Sequence, residues 1–359
     1  MNIDTAFLSS RPVFFERNRV YRVYEGGKLF GDFFGDEPVD GNYPEEWIAS
    51  TVRAMNMKVS GSREGLSIVK GMDMTFNELI EKEPTRMLGE RKKYDVLVKM
   101  LDSAIRLPLQ AHPDRAFSRK YFRSEYGKTE MWLIVATREN ACVYFGFQDK
   151  ITKEEFAEAV EKSRNDKNVM TALVNEIFVK PGEVYLVPAK CVHAIGYGCL
   201  LLEVQEPTDF TIQPEYWCGD HLLSDYEMYL GVDKSVALDC FDYDIYGPES
   251  LAVSKREPVT TFQNDQVHLE DLLTYKDTPC FCVRRITVTG GSAVLSEGPA
   301  LYLVIEGEGA LRGNNEVIPV KKGSYFFLPD AAKGSYSVTS AGRIQLAVCL
   351  PPEITTPGR

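Results

Sequence analysis

The sequence predicts a mainly β chain built as two jelly-roll β-barrels with inserted α-helices. One observation is the prevalence of short apolar and aromatic runs separated by turn residues, the pattern of antiparallel strands. Strands and helices do not alternate regularly, which disfavours a doubly wound parallel sheet. The other is an internal repeat. VKPGEVYLVPA (179–189) and VKKGSYFFLPD (320–330) share lysine, glycine, an aromatic residue and proline at the same offsets, the proline six residues after the glycine in each. A turn–strand–turn unit present in each half implies two copies of one β architecture.

Taken in order, the stretch to about residue 60 has short aromatic runs and many glycines, as in VYEGGKLFGDFFGD, and reads as strand and loop. A helical insertion is expected at about 72–95, punctuated by Pro84 and Gly89. Short β-rich runs follow from VLVKMLDS to ACVYFGF. A second helical insertion is expected at about 152–177: Thr152 and Glu155 form a capping box, and Phe156, Val160, Val169, Leu173 and Val174 supply an apolar stripe. Strands return at EIFVKPGEVYLVPA and GCLLLEVQE, and 214–255 reads as a mixed connector. From 256 the chain is β again through FCVRRITV, ALYLVIEG and GSYFFLPD. The expected division is a larger domain over 1–255 and a smaller β domain over 256–359.

A length of 359 residues suits two domains with ample core, and 44% hydrophobic with 26% charged residues is an ordinary globular composition. A net charge of -11 argues against nucleic acid as a partner, but a local basic pocket can still receive a small anion. No apolar run is long enough to span a bilayer, and the N-terminus lacks the pattern of an export signal. Eight cysteines without a Cys-x-x-Cys pair fit free thiols in a reducing cytoplasm; Cys280 and Cys282 read as buried small hydrophobes.

Four residues look like the ligand set of one metal ion: Gln110 and His112 in QAHPD, Glu130 in GKTEMW, and His193 in PAKCVHAIG. Two imidazoles, a carboxylate and an amide oxygen suit a borderline divalent cation. Gln-Ala-His alternates, so on a strand both ligating side chains point to one face. Gly182, Pro188 and His193 read as turn, strand, turn, and a strand opening on the histidine. The chain has only four histidines, and two fall in these contexts. Five residues after Pro329 stands Gly334, where the first copy has His193, so the second copy is expected to hold no metal.

The arrangement resembles the cupin metal site. From about Trp47 in PEEWIAS to about Thr211, the series QAHPD, GKTEMW, PAKCVHAIG and LLEVQEPTDFT resembles the type I mannose-6-phosphate isomerases. The resemblance implies one zinc per chain at Gln110, His112, Glu130 and His193, although Mn²⁺ or Fe²⁺ would also accept this donor set. It implies interconversion of mannose 6-phosphate and fructose 6-phosphate, a sugar phosphate as the small-molecule partner, and a cytoplasmic location. Glu203 matches the acid/base position, and its buried-looking strand would raise its pKa. Lys128 is placed in the site to bind a substrate oxygen or orient Glu203, and Asp209 to tune it. One position departs: the family carries arginine ten residues after the acid/base glutamate, where this chain has Gln213. Glutamine lacks the charge and the bidentate fork. Arg115 and Arg119, with Lys120 and Arg123 beside them, are the nearby cations that could substitute. Three readings stay open: an altered isomerase of this kind, an isomerase of another or non-phosphorylated sugar, and a sugar-binding regulatory cupin without turnover. Oligomeric state is not legible.

Overall fold

The computed structural model describes residues 4–56 and 63–354, and the chain is mainly β with antiparallel sheets. A seven-stranded sheet runs, in spatial order, Arg19–Val20, Glu45–Ile48, Leu97–Asp102, Cys199–Gln205, Glu130–Thr137, Val184–Val187 and Lys255–Arg256. A three-stranded sheet of Val174–Phe178, Cys142–Phe147 and His193–Ile195 accompanies it. A second seven-stranded sheet begins with Val259–Gln263, Val267–Leu273, Cys282–Val294 and Tyr336–Leu350. It continues with Ala300–Gly313 and Glu316–Lys321, and Tyr325–Leu328 pairs with Ala300–Gly313.

The central strands of the first sheet are buried on both faces, so they read as continuous apolar runs rather than alternating ones. On one face Leu101, Trp132, Ile134, Tyr185, Val187 and Leu201 pack with Val143, Phe145, Ala194 and Ile195 of the three-stranded sheet. On the other, Ile48, Met100, Met131, Leu133, Leu202 and Val204 share a core with Val283, Leu301, Leu303, Phe327, Ala347 and Cys349 of the C-terminal sheet. That sheet turns its alternate residues, Tyr302, Val304, Phe326, Leu328, Leu346 and Val348, into a core of its own. The period-two alternation of strands thus joins the layers.

The repeated segments adopt the same local form. Gly182 (φ +94) and Gly323 (φ +81) each hold a left-handed turn that side-chain-bearing residues rarely adopt, two residues before a strand, Val184–Val187 or Tyr325–Leu328.

Three helical expectations are revised. The 152–177 helix starts at the expected capping box but ends at Ser163. The chain then turns at Asp166, whose carboxylate accepts from the Asn168 amide at 2.9 Å. Val174 lies in a strand that pairs with Cys142–Phe147, because burial against Phe145 and Phe147 outweighs helical spacing. The 72–95 insertion is two short helices, Phe76–Lys82 and Pro84–Leu88, with Pro84 opening the second. The N-terminal strand-and-loop region contains a helix, Lys28–Phe34. Its first amides, Gly27 and Leu29, donate to the distant Asp102 carboxylate at 2.8 and 3.0 Å, a cap that no local window displays.

Phe327 joins the two sheets. It is fully buried, meets Phe76 and Tyr94 edge-on, and its backbone bonds Val13 in both directions. Phe327→Ala should cost about 3–5 kcal/mol, measured by urea titration. The shared core should also make unfolding a single event. All three tryptophans, Trp47, Trp132 and Trp217, lie before residue 256, so their fluorescence and the far-UV circular dichroism should report coincident transitions; resolved midpoints would contradict this coupling.

Candidate metal centre and substrate cavity

Strand register assembles the site. Lys99 and Glu203 are direct cross-strand partners, Glu203 is also opposite Trp132, and Trp47 is opposite Lys99, giving one row across the sheet. Glu130 lies two residues before Trp132 and therefore shares its face. His193 opens its strand and is bridged to Gln110 through both backbone bonds, each 2.9 Å. Ala111 is bridged to Ile212, which leaves His112 beside them.

His112, Glu130 and His193 are fully buried, with ligand atoms within 4.8 Å of one another. His112 Nε2 lies 3.1 Å from Glu130 Oε2, and His193 Nε2 lies 3.6 Å from Glu130 Oε1. Each imidazole donates its Nδ1–H to a carbonyl, His112 to Phe210 O at 3.0 Å and His193 to Cys191 O at 2.9 Å. That fixes the tautomer with both Nε2 lone pairs facing the cluster, the outer-shell pattern of ligating histidines. His193 Nε2 is buried without a hydrogen-bond partner, a cost that a cation would remove.

The protonation states fit as well. Burial, reinforced by the Lys128 charge, pushes His112 down to about 3, and burial lowers His193, so both are neutral at physiological pH. Burial would raise the Glu130 pKa, but Lys128 and the two histidines outweigh it and keep the carboxyl well below its usual range. Two neutral imidazoles and an ionised carboxylate match a divalent cation, and Gln110, bridged to His193, lines a neighbouring cavity.

That cavity, of about 150 Å³, is also lined by Lys128, Glu203, Asp209 and Gln213. Lys128 Nζ stands 2.8 Å from His112 Nε2 and 3.0 Å from Glu130 Oε2, so it faces the ligands rather than Glu203. Glu203 is raised above the usual carboxylate range by burial and by the Glu130 charge, partly offset by Lys99 and Lys128. Its Oε2 lies 3.0 Å from Lys99 Nζ. The Trp132 indole N–H is shared between Glu130 Oε1 at 3.0 Å and Glu203 Oε1 at 3.3 Å, bridging ligand and base candidate. Asp209 accepts from Arg22 Nη2 at 3.0 Å and from the Met55 amide at 2.8 Å. Gln213 donates to the Glu227 carbonyl at 2.9 Å.

Arg115 and Arg119 do not reach the cavity. Arg115 is half-exposed and paired with Glu206 at 2.8 Å; Arg119 pairs with exposed Glu125 at 2.8 Å. They sit on a short helix and the π-turn after it, which carry their charges to the surface. Three residues that sequence reasoning missed are present instead: Arg22, Glu45 and Lys99. Glu45 accepts from Arg22 at 2.9 Å and from the Trp47 indole at 2.6 Å, and from the Tyr24 hydroxyl. Burial opposes its charge, but Arg22 and Lys99 hold its pKa far below normal. The available signal was a charged residue inside an otherwise apolar strand, as in EEWI and LVKMLD.

The family model "Mannose-6-phosphate isomerase, cupin domain" matches residues 271–350. Mannose-6-phosphate isomerase ManA of Bacillus subtilis is 29% identical over 90% of this chain and 94% of its own length. The mannose-6-phosphate isomerase of Streptococcus mutans is 26% identical over 90% of this chain and 94% of its own. Among solved structures, mannose 6-phosphate isomerase from Bacillus subtilis superposes with a TM-score of 0.74 at 24% identity, covering 94% of this chain and 99% of that one. A phosphomannose isomerase variant from Salmonella typhimurium gives 0.72 at 15% identity, covering 95% and 100%. The chain is thus similar to mannose-6-phosphate isomerases along most of its length, and the family's cupin-domain model matches its C-terminal part.

Proposed function

We propose that this protein interconverts mannose 6-phosphate and fructose 6-phosphate in the cytoplasm, using one zinc ion held by Gln110, His112, Glu130 and His193. The catalytic part is residues 1–255, and 256–359 form a support that holds no metal. The observation that carries the reading is a buried carboxylate with a raised pKa, Glu203, which lines a cavity and is joined through one indole N–H to Glu130 of the metal triad. Relatives named as mannose-6-phosphate isomerases support the substrate.

The bound cation would supply Lewis acidity toward the substrate carbonyl; Mn²⁺ or Fe²⁺ would fit the same donors. Glu203 removes the proton from C2 of the open-chain aldose; the C–H electron pair forms the C1=C2 double bond while the carbonyl π pair moves onto O1, giving an enediolate. Transfer of the O2 proton to O1, with re-formation of the carbonyl at C2 and return of the carbon-bound proton to C1, completes the ketose. Burial makes Glu203 a stronger base than an exposed carboxylate, and Lys99 holds it in place. Lys128 offers N–H donors for a substrate oxygen as charge develops there.

A second reading has its own observation. Among the described residues, each lysine and arginine lining the cavity, Arg22, Lys99 and Lys128, already contacts a carboxylate, and Gln213 is neutral. Such a cavity would also suit a non-phosphorylated sugar. Comparing kcat/KM for mannose 6-phosphate and free mannose decides: preference for the free sugar would replace the first reading.

Elemental analysis should find one transition-metal ion per chain. His193→Ala should lose the metal and the isomerase activity together, and chelation should lower the melting temperature of the unaltered protein. Two ions per chain would contradict the assignment.

Glu203→Gln should keep metal content and sugar affinity while lowering turnover by roughly 10²- to 10⁴-fold. Near-normal turnover in this variant would remove Glu203 from the mechanism.

A further inference from the structure

Arg22 is the guanidinium that lines the cavity, alongside Gln110, Lys128 and Glu203. Its placement is built rather than incidental. The Arg22 amide donates to Asn42 O at 2.9 Å, and its own carbonyl accepts from Asn42 Nδ2 at 3.0 Å, so the backbone is pinned on both sides. Nε donates to Glu45 Oε1 at 2.9 Å, Nη1 to Asn56 Oδ1 at 3.1 Å and more weakly to Tyr21 O at 3.5 Å, and Nη2 to Asp209 Oδ1 at 3.0 Å. A guanidinium carries five N–H groups, two of them on each terminal nitrogen. Among the described residues the partners account for four, leaving one on Nη2. Only 12% of the side chain is exposed, so that donor has little bulk water to turn to.

The charges around it decide what it can hold. Glu45 and Asp209 both touch the same guanidinium, so its single positive charge is already matched. A permanent dianion would meet no uncompensated charge here, whereas an uncharged oxygen needs only the donor. Arg22 is also tied to both sides of the reaction centre. Asp209 precedes Phe210, whose carbonyl fixes His112, and Glu45 lies 3.8 Å from Lys99 Nζ, which holds Glu203.

We propose that Arg22 is a substrate-binding residue: its free Nη2–H donates to a hydroxyl or carbonyl oxygen of the sugar, not to the phosphate. It thereby returns to the cavity a guanidinium that Gln213 does not provide. This rests on the isomerase reading above and deepens it.

The test measures KM and kcat for mannose 6-phosphate, and inhibition by inorganic phosphate, in the metal-loaded full-length protein and in its R22Q and R22K variants. R22K keeps a charge for Glu45 and Asp209 but loses the planar fork. Loss of one charge-assisted hydrogen bond predicts an increase in KM of about ten- to a hundredfold. Phosphate inhibition should stay within about twofold of the unaltered protein, because the phosphate does not use this donor. Metal content and melting temperature, measured on R22K, separate this from a structural role, which would move them together with kcat and leave KM unchanged. Unchanged KM in both variants overturns the proposal, and so does a phosphate inhibition constant that weakens in step with KM. If the unaltered protein shows no turnover, the isomerase reading fails instead. Calorimetric binding of mannose 6-phosphate, weakened in R22K, would then still support the Arg22 contact, and equal binding would overturn it.

Discussion

Glu45, Glu130 and Glu203 are buried on one face of a sheet whose other face is also covered, and each carboxylate survives there only because a cation stands against it. Arg22 and Lys99 serve Glu45, Lys99 serves Glu203, and Lys128 serves Glu130. Removing one member of such a pair leaves an uncompensated charge, at about 3–5 kcal/mol. The cluster is therefore a single electrostatic unit, and its arrangement holds Glu45 and Glu130 low and pushes Glu203 up.

The unit separates two carboxylates by environment. Glu130, with Lys128 and two imidazoles around it, stays ionised; Glu203, with Glu130 as a like charge nearby, is pushed upward. The two groups are the same residue type on neighbouring strands, and differ only in what surrounds them. Trp132 sits between them and ties their oxygens to one N–H, so their relative position is set by an indole locked in the core.

Among the described residues, the C-terminal sheet contributes none to the cavity lining, and it supports this arrangement from the other side. By covering the far face of the first sheet it keeps Met100, Met131, Leu202 and Val204 out of water. The intervening strands are then buried on both sides, and charged residues on the near face, Lys99 and Glu203 among them, pair with one another.

The mainly β architecture and most of the metal centre were legible in the sequence, because both are written locally. The Gly-to-Pro spacing marks a strand between two turns, and Glu130 and His193 each open a strand, while Gln110 and Ala111 are held by isolated bridges rather than in the strand that the alternation suggests. Capping boxes at Thr75 and Thr152 likewise need only a three-residue offset. What the tertiary structure alone decided depends on contacts across the chain. Asp102 caps a helix some seventy residues before it, which made glycine-rich GGKLFGDFF helical. Val174 took the strand offered by Phe145 and Phe147 rather than the helix its spacing suggested. Arg22 reaches Asp209 across 187 residues, while Arg115 and Arg119, near in sequence to the ligands, turn to the surface. A buried charge is positioned by its counter-charge, and which counter-charge that is depends on how strands far apart in sequence come into register.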